Sequence, residues 1–497
     1  MRINSIGKIS VNRYYVQSLC MLFFPGEKFS EKANENKSEP VLDYDIVKDG
    51  ELIRAKVRLS ASDKSAEHVS ELEIKAGVSE EKSAKLALGS AVYYAGEKLM
   101  GITPAWGILV GIRPAKLALE LLDSGKTPLS VRRFLRREYL VNPKKATLCL
   151  DVAQNERSIL DSVAEDTCSL YISIPFCPTR CAYCSFVSYS TKRLLSMIPE
   201  YVDRLCRDIE RAAAQIKRAG KKLVTIYIGG GTPTVLKSGE LDKLLSCVSR
   251  CFNTKKLMEF TLEAGRPDTI DEEKLKIAKH YGVTRISINP QTLNNNILEN
   301  IGRQHTSEDF YAAYETARKV GIKTVNCDLI AGLEGESYPS FSKSVDAVIA
   351  LEPENITVHT FCVKKSAQVR YEDEGVFSKG INDTVKSVDY SQLRMKNSGY
   401  KPYYMYRQKN TVGNLENVGF TLDGHAGIYN VLIMEENHTI FAVGAGAVAK
   451  FVGTDENGEK KIKRIFEPKY PYEYMREDEA ANEARYINEI DSFFLGK

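Results

Sequence analysis

The chain has 497 residues, 43% of them hydrophobic and 27% charged, which predicts two or three folded domains and excludes a disordered or fibrous protein. Its 69 basic and 65 acidic side chains leave a formal net charge of +4, so the overall charge favours neither a nucleic-acid nor a membrane partner. Residues 14–26 are uncharged but too few and too polar for stable membrane insertion, and a buried strand or a short helix is expected there. Eleven cysteines and no secretion signal indicate free thiols and a cytoplasmic protein.

The first region, residues 1–164, has the pattern of a small α+β accessory domain. Short strands are predicted at residues 43–50, 51–61 and 69–76, which are rich in alternating apolar and polar positions. An amphipathic helix is predicted over residues 82–100.

Two further helical patterns, at residues 106–125 and 128–141, carry a cluster of basic side chains. These are Arg113, Lys116, Arg132, Arg133, Arg136 and Arg137. Because charge runs usually face water, we favour a solvated basic helix face over an anion site or a partner site.

From residue 165 onward, short apolar runs alternate with longer helical patterns. Six strand candidates are LYISI, LVTIYI, EFTLE, RISIN, VNCDLI and NITVHTF, at residues 170–174, 223–228, 259–263, 285–289, 325–330 and 355–361. Strands joined by helices are parallel, so we predict an α/β architecture, a barrel or an open wound sheet, over residues 165–370. Residues 371–497 have a mixed pattern and are expected to form a C-terminal extension that covers the mouth of the barrel.

Three cysteines, Cys177, Cys181 and Cys184, lie in the spacing C-x3-C-x2-C directly after the first predicted strand. In barrels of this type the chemistry collects at the carboxyl ends of the strands. Three thiolates can hold three irons of a 4Fe-4S cluster and leave the fourth iron open. A zinc site would usually require a fourth ligand nearby, and three unrelated buried cysteines are the weaker alternative.

The stretch IPFCPTRCAYCSF around these cysteines resembles the signature of radical S-adenosylmethionine (SAM) enzymes. Residues 170–450 are similar to the oxygen-independent coproporphyrinogen III dehydrogenase (oxidase) family, and the whole chain resembles its HemZ-type branch. The resemblance implies a partial (βα)6 radical SAM barrel and a 4Fe-4S cluster on the three cysteines. It also implies that the open iron binds the amino and carboxylate groups of SAM.

Further residues match the SAM-binding pattern of this family. In the resembled family, the glycine-rich stretch after the second strand helps to hold the methionine end of SAM. Here this implies that Gly229, Gly230, Gly231 and Thr232 bind SAM, although a tight turn alone would also explain the glycines. The resemblance also implies SAM-binding roles for polar residues at or near other strands, which are Tyr171, Glu263, Gln291, Arg303 and Asp328. Individually, each of these polar residues could instead be a helix cap or half of a salt bridge.

Two features depart from the resembled subgroups. Phe186 stands where the dehydrogenases have a further active-site cysteine, two positions after Cys184. Related haem chaperones also have Phe there, but their H-N-x-x-Y-W motif is not matched, since Gly413 and Asn414 stand where His-Asn would be. No catalytic residue is assigned.

The resemblance implies that the cluster transfers one electron to SAM, which gives methionine and a 5'-deoxyadenosyl radical. With coproporphyrinogen III as the tetrapyrrole substrate, this radical would start the oxidative decarboxylation to protoporphyrinogen IX in haem biosynthesis. The electron donor would be a protein such as flavodoxin or ferredoxin. A haem-binding or haem-delivery protein and an anaerobic haem-modifying radical SAM enzyme are the alternatives.

Histidines and tyrosines supply additional candidates for a tetrapyrrole site. His305, His359, His425 and His438 could ligate haem iron or move protons, but structural roles are more common for histidines with no shared spacing. The tyrosines in residues 401–410 are expected to pack against the barrel rather than to stack on a tetrapyrrole.

Overall fold

The structure, a computed structural model, describes residues 1–7, 9–30, 39–111, 113–362, 381–409 and 411–496. The strands are β1 (Arg2–Ser5), β2 (Val41–Asp49), β3 (Leu52–Ala61), β4 (Lys64–Glu73), β5 (Thr167–Ile174), β6 (Lys222–Gly230), β7 (Glu259–Glu263), β8 (Arg285–Ser287), β9 (Thr324–Ala331), β10 (Asn355–Thr360), β11 (Lys401–Arg407), β12 (Glu416–Thr421), β13 (Thr439–Val443), β14 (Val448–Thr454) and β15 (Lys460–Phe466).

The helices are α1 (Arg13–Cys20), α2 (Glu80–Met100), α3 (Pro114–Asp123), α4 (Pro128–Glu138), α5 (Pro143–Leu160), α6 (Lys192–Leu195), α7 (Ile198–Arg218), α8 (Ser238–Cys251), α9 (Glu272–His280), α10 (Asn295–Asn300), α11 (Ser307–Val320), α12 (Tyr338–Ala350), α13 (Ile381–Asn397), α14 (Ile428–Glu435), α15 (Pro471–Arg476) and α16 (Glu479–Ile490).

The described residues divide into two compact units. The first comprises residues 1–154, 381–385 and 405–416, and the second comprises residues 155–362, 386–404 and 417–496. The three-part division at residues 164 and 370 stays a prediction, and its second boundary lies outside the described residues.

The first unit contains a four-stranded sheet in the order β1-β2-β3-β4, in which β1 is parallel to β2 and the other pairs are antiparallel. Buried and solvated residues alternate along β3, as expected for a sheet with one face in the core. The long helix α2 packs on β3 and β4. Its N-cap is Ser79, whose hydroxyl accepts a hydrogen bond from the Lys82 amide. Its C-cap is Gly101, which has a φ of 66°. The predicted strands and the predicted α2 helix are confirmed, and residues 14–26 contain the short helix α1.

The second unit is built on an eleven-stranded sheet in the order β11-β12-β10-β9-β8-β7-β6-β5-β13-β14-β15. All six predicted strands are present, as β5 to β10, and each pairs in parallel with the next along the chain. In β5 and β9, seven of eight residues are buried, as parallel strands covered on both faces require. This parallel set confirms the predicted α/β fold. Among the described residues, the outer side of β5 pairs with β13 and the outer side of β10 pairs with β12. The six strands therefore do not pair with one another into a closed ring.

The last region of the chain extends the same sheet. Strand β13 pairs in parallel with β5, from Thr439 opposite Cys168 to Val443 opposite Ile172. Strands β14 and β15 then add in antiparallel fashion. The sequence pattern of residues 371–497 showed only a mixture of elements, because the pairing of β13 with β5 is a contact between distant segments.

In the parts of the chain that the structure describes, no helix is both long enough and apolar enough to cross a membrane. All eleven cysteines are free thiols.

Candidate functional site

The loop that carries the three cysteines starts at the carboxyl end of β5. Its ends are joined by two backbone hydrogen bonds, from Cys177 N to Tyr189 O at 3.1 Å and from Tyr189 N to Pro175 O at 2.8 Å. A further turn joins Cys184 N to Cys181 O at 3.1 Å. Cys177 and Cys181 are buried and Cys184 is half-buried. The loop therefore holds three thiols at the edge of the sheet, as the sequence predicted.

The three thiols are close enough to influence one another electrostatically. Burial raises the pKa of Cys177, and the neighbouring Cys184 and Cys181 raise it further. Burial also raises the pKa of Cys184, with Cys181 adding to the effect. Buried thiols of this kind become thiolates when a metal neutralises their charge.

The three thiols of the C-x3-C-x2-C loop can each bind one iron of a 4Fe-4S cluster. In the described residues, no three side chains of His, Cys, Asp or Glu converge closely enough to hold one ion. A 4Fe-4S cluster does not require such convergence, because each cysteine sulfur binds a different iron.

The glycine-rich turn after β6 lies directly against the cysteine loop. Gly231 N donates to Ile174 O at 2.8 Å and Thr232 N donates to Phe176 O at 2.7 Å. A Cβ atom on Gly231 would lie 2.4 Å from Phe176 O, and Gly230 has a φ of 116°. Close packing therefore explains Gly231, and the positive φ explains Gly230. The turn places the Thr232 hydroxyl 3.4 Å from the Cys177 sulfur.

Glu263, the last residue of β7, lies beside a stack of tyrosines. The Tyr227 hydroxyl donates to Glu263 Oε1. The Tyr227 ring stacks on Tyr429 at 4.5 Å and on Tyr171 at 6.1 Å between centroids. Burial raises the pKa of Glu263 to about 7, and Asp328 contributes, against the opposing effect of the Tyr227 hydrogen bond. This carboxyl group is therefore poised to change charge near neutral pH.

Asp328 lies within β9 and remains ionised through its neighbours. Its Oδ1 accepts from Asn326 Nδ2 at 2.7 Å, and its Oδ2 lies 3.7 Å from His359 Nε2 on β10. Burial alone would raise the pKa of Asp328, but His359 and the neighbouring donors more than offset this, so the pKa is below its ordinary value.

Gln291 is held in an unusual conformation between β8 and β9. Its φ is 67°, in the left-handed region that is uncommon for a non-glycine residue. Its amide donates to Asp328 O and its carbonyl accepts from Ile330 N, both at 2.9 Å. The side chain is buried, and its Oε1 has no hydrogen-bond partner among the described residues. A buried acceptor of this kind fits a site where a bound molecule supplies the donor.

Arg303 fastens the cysteine loop to two neighbouring strand ends. Its Nη1 donates to Gly265 O at 3.0 Å and to Asn289 O at 2.8 Å, in the loops after β7 and β8. Its Nε donates to the hydroxyl of Tyr183 at 3.2 Å, between two of the cysteines. These contacts give Arg303 a positioning role, and its contact with SAM stays a prediction.

Arg266 contacts a cysteine sulfur but was not among the predicted site residues. Its Nη1 lies 3.6 Å from the Cys181 sulfur, its Nε donates to Asp268 at 3.1 Å, and its side chain is only 3% exposed. Arg266 could have been proposed from the sequence. It lies three residues after Glu263, in the loop at the carboxyl end of β7, and the cysteine loop lies at the same edge of the sheet. Tyr183, Tyr227 and Tyr429 were also missed, since their contacts depend on the conformation of the cysteine loop and on how the strands and α14 pack together.

The four candidate histidines lie in different places. His438 bonds Ser169 near the start of β5 at 3.0 Å, and His425 bonds Thr324 at the start of β9 at 2.9 Å. Both are therefore near the amino ends of the strands, away from the cysteine loop. His359 lies beside Asp328, and His305 is buried with its pKa lowered to about 3, first by burial and then by Arg303.

The aromatic candidates also separate. Phe186 is 68% exposed although it lies only two residues after Cys184. Tyr403 and Tyr404 on β11 are buried, and Tyr404 packs closely over Gly419. These two tyrosines are packing residues, as expected from the sequence.

Comparisons with known proteins identify relatives of this chain. The model of the radical SAM superfamily matches residues 171–348. The oxygen-independent coproporphyrinogen-III oxidase-like protein HemZ of Bacillus subtilis (strain 168) is 39% identical over 377 residues, which cover 75% of this chain and 75% of that protein. The heme chaperone HemW of the same organism is 36% identical over 197 residues, covering 39% of this chain and 51% of the relative.

Among solved structures, the chain is similar to coproporphyrinogen III oxidase (HemN) from Escherichia coli, described as a radical SAM enzyme. The TM-score is 0.50 and the identity 20%, with 64% of this chain and 71% of the other covered. At that identity the likeness shows a shared fold.

Proposed function

The chain belongs to the radical SAM superfamily and, within it, to the HemZ-type family of oxygen-independent coproporphyrinogen III oxidase-like proteins, and from this we propose that it converts coproporphyrinogen III to protoporphyrinogen IX by oxidative decarboxylation. The observation that carries the proposal is the loop with Cys177, Cys181 and Cys184 at the carboxyl end of β5, on the same sheet edge as Glu263 and the loop that carries Gln291, whose buried Oε1 has no partner among the described residues.

In this proposal the three cysteines hold a 4Fe-4S cluster. When bound, the cluster and SAM would supply the chemistry that removes a hydrogen atom from the β-carbon of a substrate propionate. The remaining electron would pass to an electron acceptor as carbon dioxide leaves and a vinyl group forms. Thr232 and Arg303 orient the cysteine loop, the former beside Cys177 and the latter through Tyr183.

Two neighbouring half-buried acids favour a cationic ligand near the carboxyl ends of the strands. Glu263 and Asp328 interact closely enough that Asp328 raises the pKa of Glu263. A ligand with a positive charge, such as the sulfonium and ammonium of SAM, would relieve this repulsion and stabilise the ionised carboxylates. We propose that both acids bind SAM, together with Tyr171 and the glycines at 229–231.

Gln291 fits the same ligand through a different chemistry. Its side-chain Oε1 is a buried acceptor with no donor in the described residues. An ammonium or a ribose hydroxyl would satisfy this atom. We therefore place Gln291 among the SAM-binding residues of the proposal.

The tetrapyrrole substrate is proposed from the family relationship. We further propose that the electron comes from a donor protein such as flavodoxin or ferredoxin and that the reaction takes place in the cytoplasm. The eleven free thiols are compatible with a reducing compartment.

A second candidate, haem binding and delivery, is favoured by two observations. Relatives named heme chaperones match this chain, at 36% identity for the Bacillus subtilis protein. In addition, position 186 of the cysteine loop carries the exposed apolar ring of Phe186 instead of a thiol. An anaerobic haem-modifying enzyme is the remaining alternative.

The deciding experiment supplies the anaerobically reconstituted protein with a reductant, SAM and an electron acceptor. One reaction receives coproporphyrinogen III and another receives haem, and products are followed by mass spectrometry. Loss of carbon dioxide from the porphyrinogen supports the proposal. Methylated or ring-opened haem would indicate the haem-modifying enzyme, and tight haem binding without conversion would indicate the delivery protein.

A pair of variants at position 186 tests the role of the missing thiol. We expect Phe186→Cys to raise the rate of decarboxylation, because it restores a reactive group beside the cluster. The control Phe186→Ser introduces a side chain of about the same size as cysteine but without a thiol, so it should not raise the rate of decarboxylation. If the wild type and Phe186→Cys are both inert with coproporphyrinogen III, the oxidase assignment should be dropped.

A further inference from the structure

The first unit contains a cleft with a volume of about 790 Å³, which is within the range of small-molecule sites. Helix α4 contributes four arginines to its lining, and α2 contributes Tyr93, Tyr94 and Glu97. The arginines are Arg132, Arg133, Arg136 and Arg137. The cleft therefore has a strong excess of positive charge, with one acidic side chain against four guanidinium groups.

These positive charges are not neutralised within the described part of the chain. No ion pair joins any of the four guanidinium groups to a carboxylate there. Glu97 accepts a hydrogen bond from the Thr103 hydroxyl at 2.8 Å, and the nearby Glu138 pairs with Lys75. Arg132 Nε is buried without a hydrogen-bond partner. A buried guanidinium nitrogen with no acceptor requires water or a ligand.

The spacing of the arginines keeps like charges together. Arg132 and Arg136 are four positions apart on α4, as are Arg133 and Arg137, and such pairs repel each other on a helix. On a helix face that only contacts water, two adjacent pairs of like charges would destabilise the helix without any compensating contact. A ligand with several negative groups would convert both rows into charge-assisted hydrogen bonds.

Most of the remaining lining is apolar, although Thr103 and Asn142 also contribute. Pro104, Leu129, Leu140 and Val141 contribute to it, together with the two tyrosines. Tyr93 and Tyr94 meet edge to face, with 5.3 Å between ring centroids. Such surfaces suit the flat body of a ligand, whereas the guanidinium groups suit its acidic substituents.

We propose that this cleft binds a small molecule that has a flat apolar body and at least two carboxylate or phosphate groups. A tetrapyrrole with several carboxylates and a nucleoside polyphosphate share this chemistry. The site is formed by the first unit, so it is additional to the proposed cluster and SAM site of the second unit.

The experiment titrates the full reconstituted protein with two probes, coproporphyrin III by fluorescence and ATP by calorimetry. We expect one of them to bind saturably, and the double variant Arg132→Ala/Arg136→Ala to weaken that binding about tenfold or more. The wild-type affinity should fall as salt is raised, and this salt dependence should be smaller in the variant. Preferential binding of the porphyrin or of the nucleotide tells the two sources apart.

The matched control is Arg54→Ala/Arg58→Ala. It removes two positive charges from the exposed face of β3 in the same unit, where both arginines pair with glutamates. This control should leave the affinity unchanged. Because the variant Cys177→Ala loses only the proposed cluster, binding in the cleft should survive in it, which separates this inference from the proposed function.

Saturable binding of neither probe would overturn the inference, as would equal affinities for the wild type and Arg132→Ala/Arg136→Ala. The exposed single variant Arg136→Ala, which leaves the buried residues of α4 untouched, guards against a loss of binding caused by misfolding.

Discussion

At the scale of single residues, the three cysteines of the loop after β5 have the most direct test. We expect Cys177→Ala, Cys181→Ala and Cys184→Ala each to abolish the visible absorbance of the iron–sulfur cluster, because three thiolates are the minimum that holds it in the proposed site. Cys206→Ala and Cys247→Ala are matched controls. These cysteines lie on α7 and α8, where the Cys247 sulfur bonds Cys206 O at 3.4 Å, and their variants should retain the absorbance. Full iron content in the triple variant would contradict the assignment.

Glu263 makes the binding of SAM dependent on pH. Its pKa is raised to about 7 by burial, so in the free protein the carboxyl is mostly protonated at pH 6 and mostly ionised at pH 8. An ionised carboxylate attracts the cationic ligand, so the affinity of the wild type should rise between pH 6 and pH 8. The variant Glu263→Gln should bind SAM more weakly at pH 8 by about 1.5–3 kcal/mol.

The ratio of the wild-type and Glu263→Gln affinities is the informative quantity, because the amino group of SAM titrates in the same range. Equilibrium binding measured at several pH values should show this ratio shrinking toward pH 6. Parallel profiles would show that Glu263 does not bind SAM through its charge.

Arg266 is expected to raise the reduction potential of the cluster. Its guanidinium lies 3.6 Å from the Cys181 sulfur and is nearly fully buried. A positive charge beside a ligand sulfur stabilises the more negative, reduced cluster. Arg266→Gln should therefore lower the midpoint potential by on the order of tens of mV, measured by a redox titration followed by electron paramagnetic resonance. The exposed Arg250→Gln is the control, and an unchanged potential in Arg266→Gln would rule out this role.

At the scale of elements, the turn after β6 must approach the cysteine loop closely. A side chain on Gly231 would meet the backbone of Phe176 at 2.4 Å, whereas one on Gly239 in α8 meets nothing within 4 Å. We expect Gly231→Ala to destabilise the protein by about 1–3 kcal/mol and to impair cluster retention. Gly239→Ala should be neutral or slightly stabilising. Thermal unfolding and iron content of the two variants check this, and equal behaviour would contradict the close packing.

The strands at the site were predictable because their signal is local. Each of β5 to β10 is a short run of β-branched and aromatic residues, and parallel strands bring their carboxyl ends to one edge. The positions of Cys177 and Glu263 follow from this rule, whereas Asp328 lies inside β9. The approach of Arg266 to Cys181 and the tyrosine stack could not be predicted, because they depend on the conformations of loops and on strand register.

At the scale of the whole molecule, sequence patterns gave the right class of fold but not the extent of the sheet. The longer helical patterns expected between the parallel strands are present as α7, α8, α9, α11 and α12, whereas the short helix α10 was not predicted. The attachment of β13, β14 and β15 beside β5 was missed, because no local pattern indicates which strand a distant segment will join. The units also combine residues 405–416 with the start of the chain, which a reading in sequence order does not suggest.

The pairing of β13 with β5 has a consequence for synthesis on the ribosome. Cys168 finds its partner Thr439 only after about 270 further residues have been made, which takes on the order of tens of seconds at typical elongation rates. During that time one side of β5 is an unpaired edge, and such edges recruit strands from other chains. The nascent protein is therefore most exposed to aggregation late in translation, and its yield should depend on chaperones that shield this edge until the ribosome has released β13.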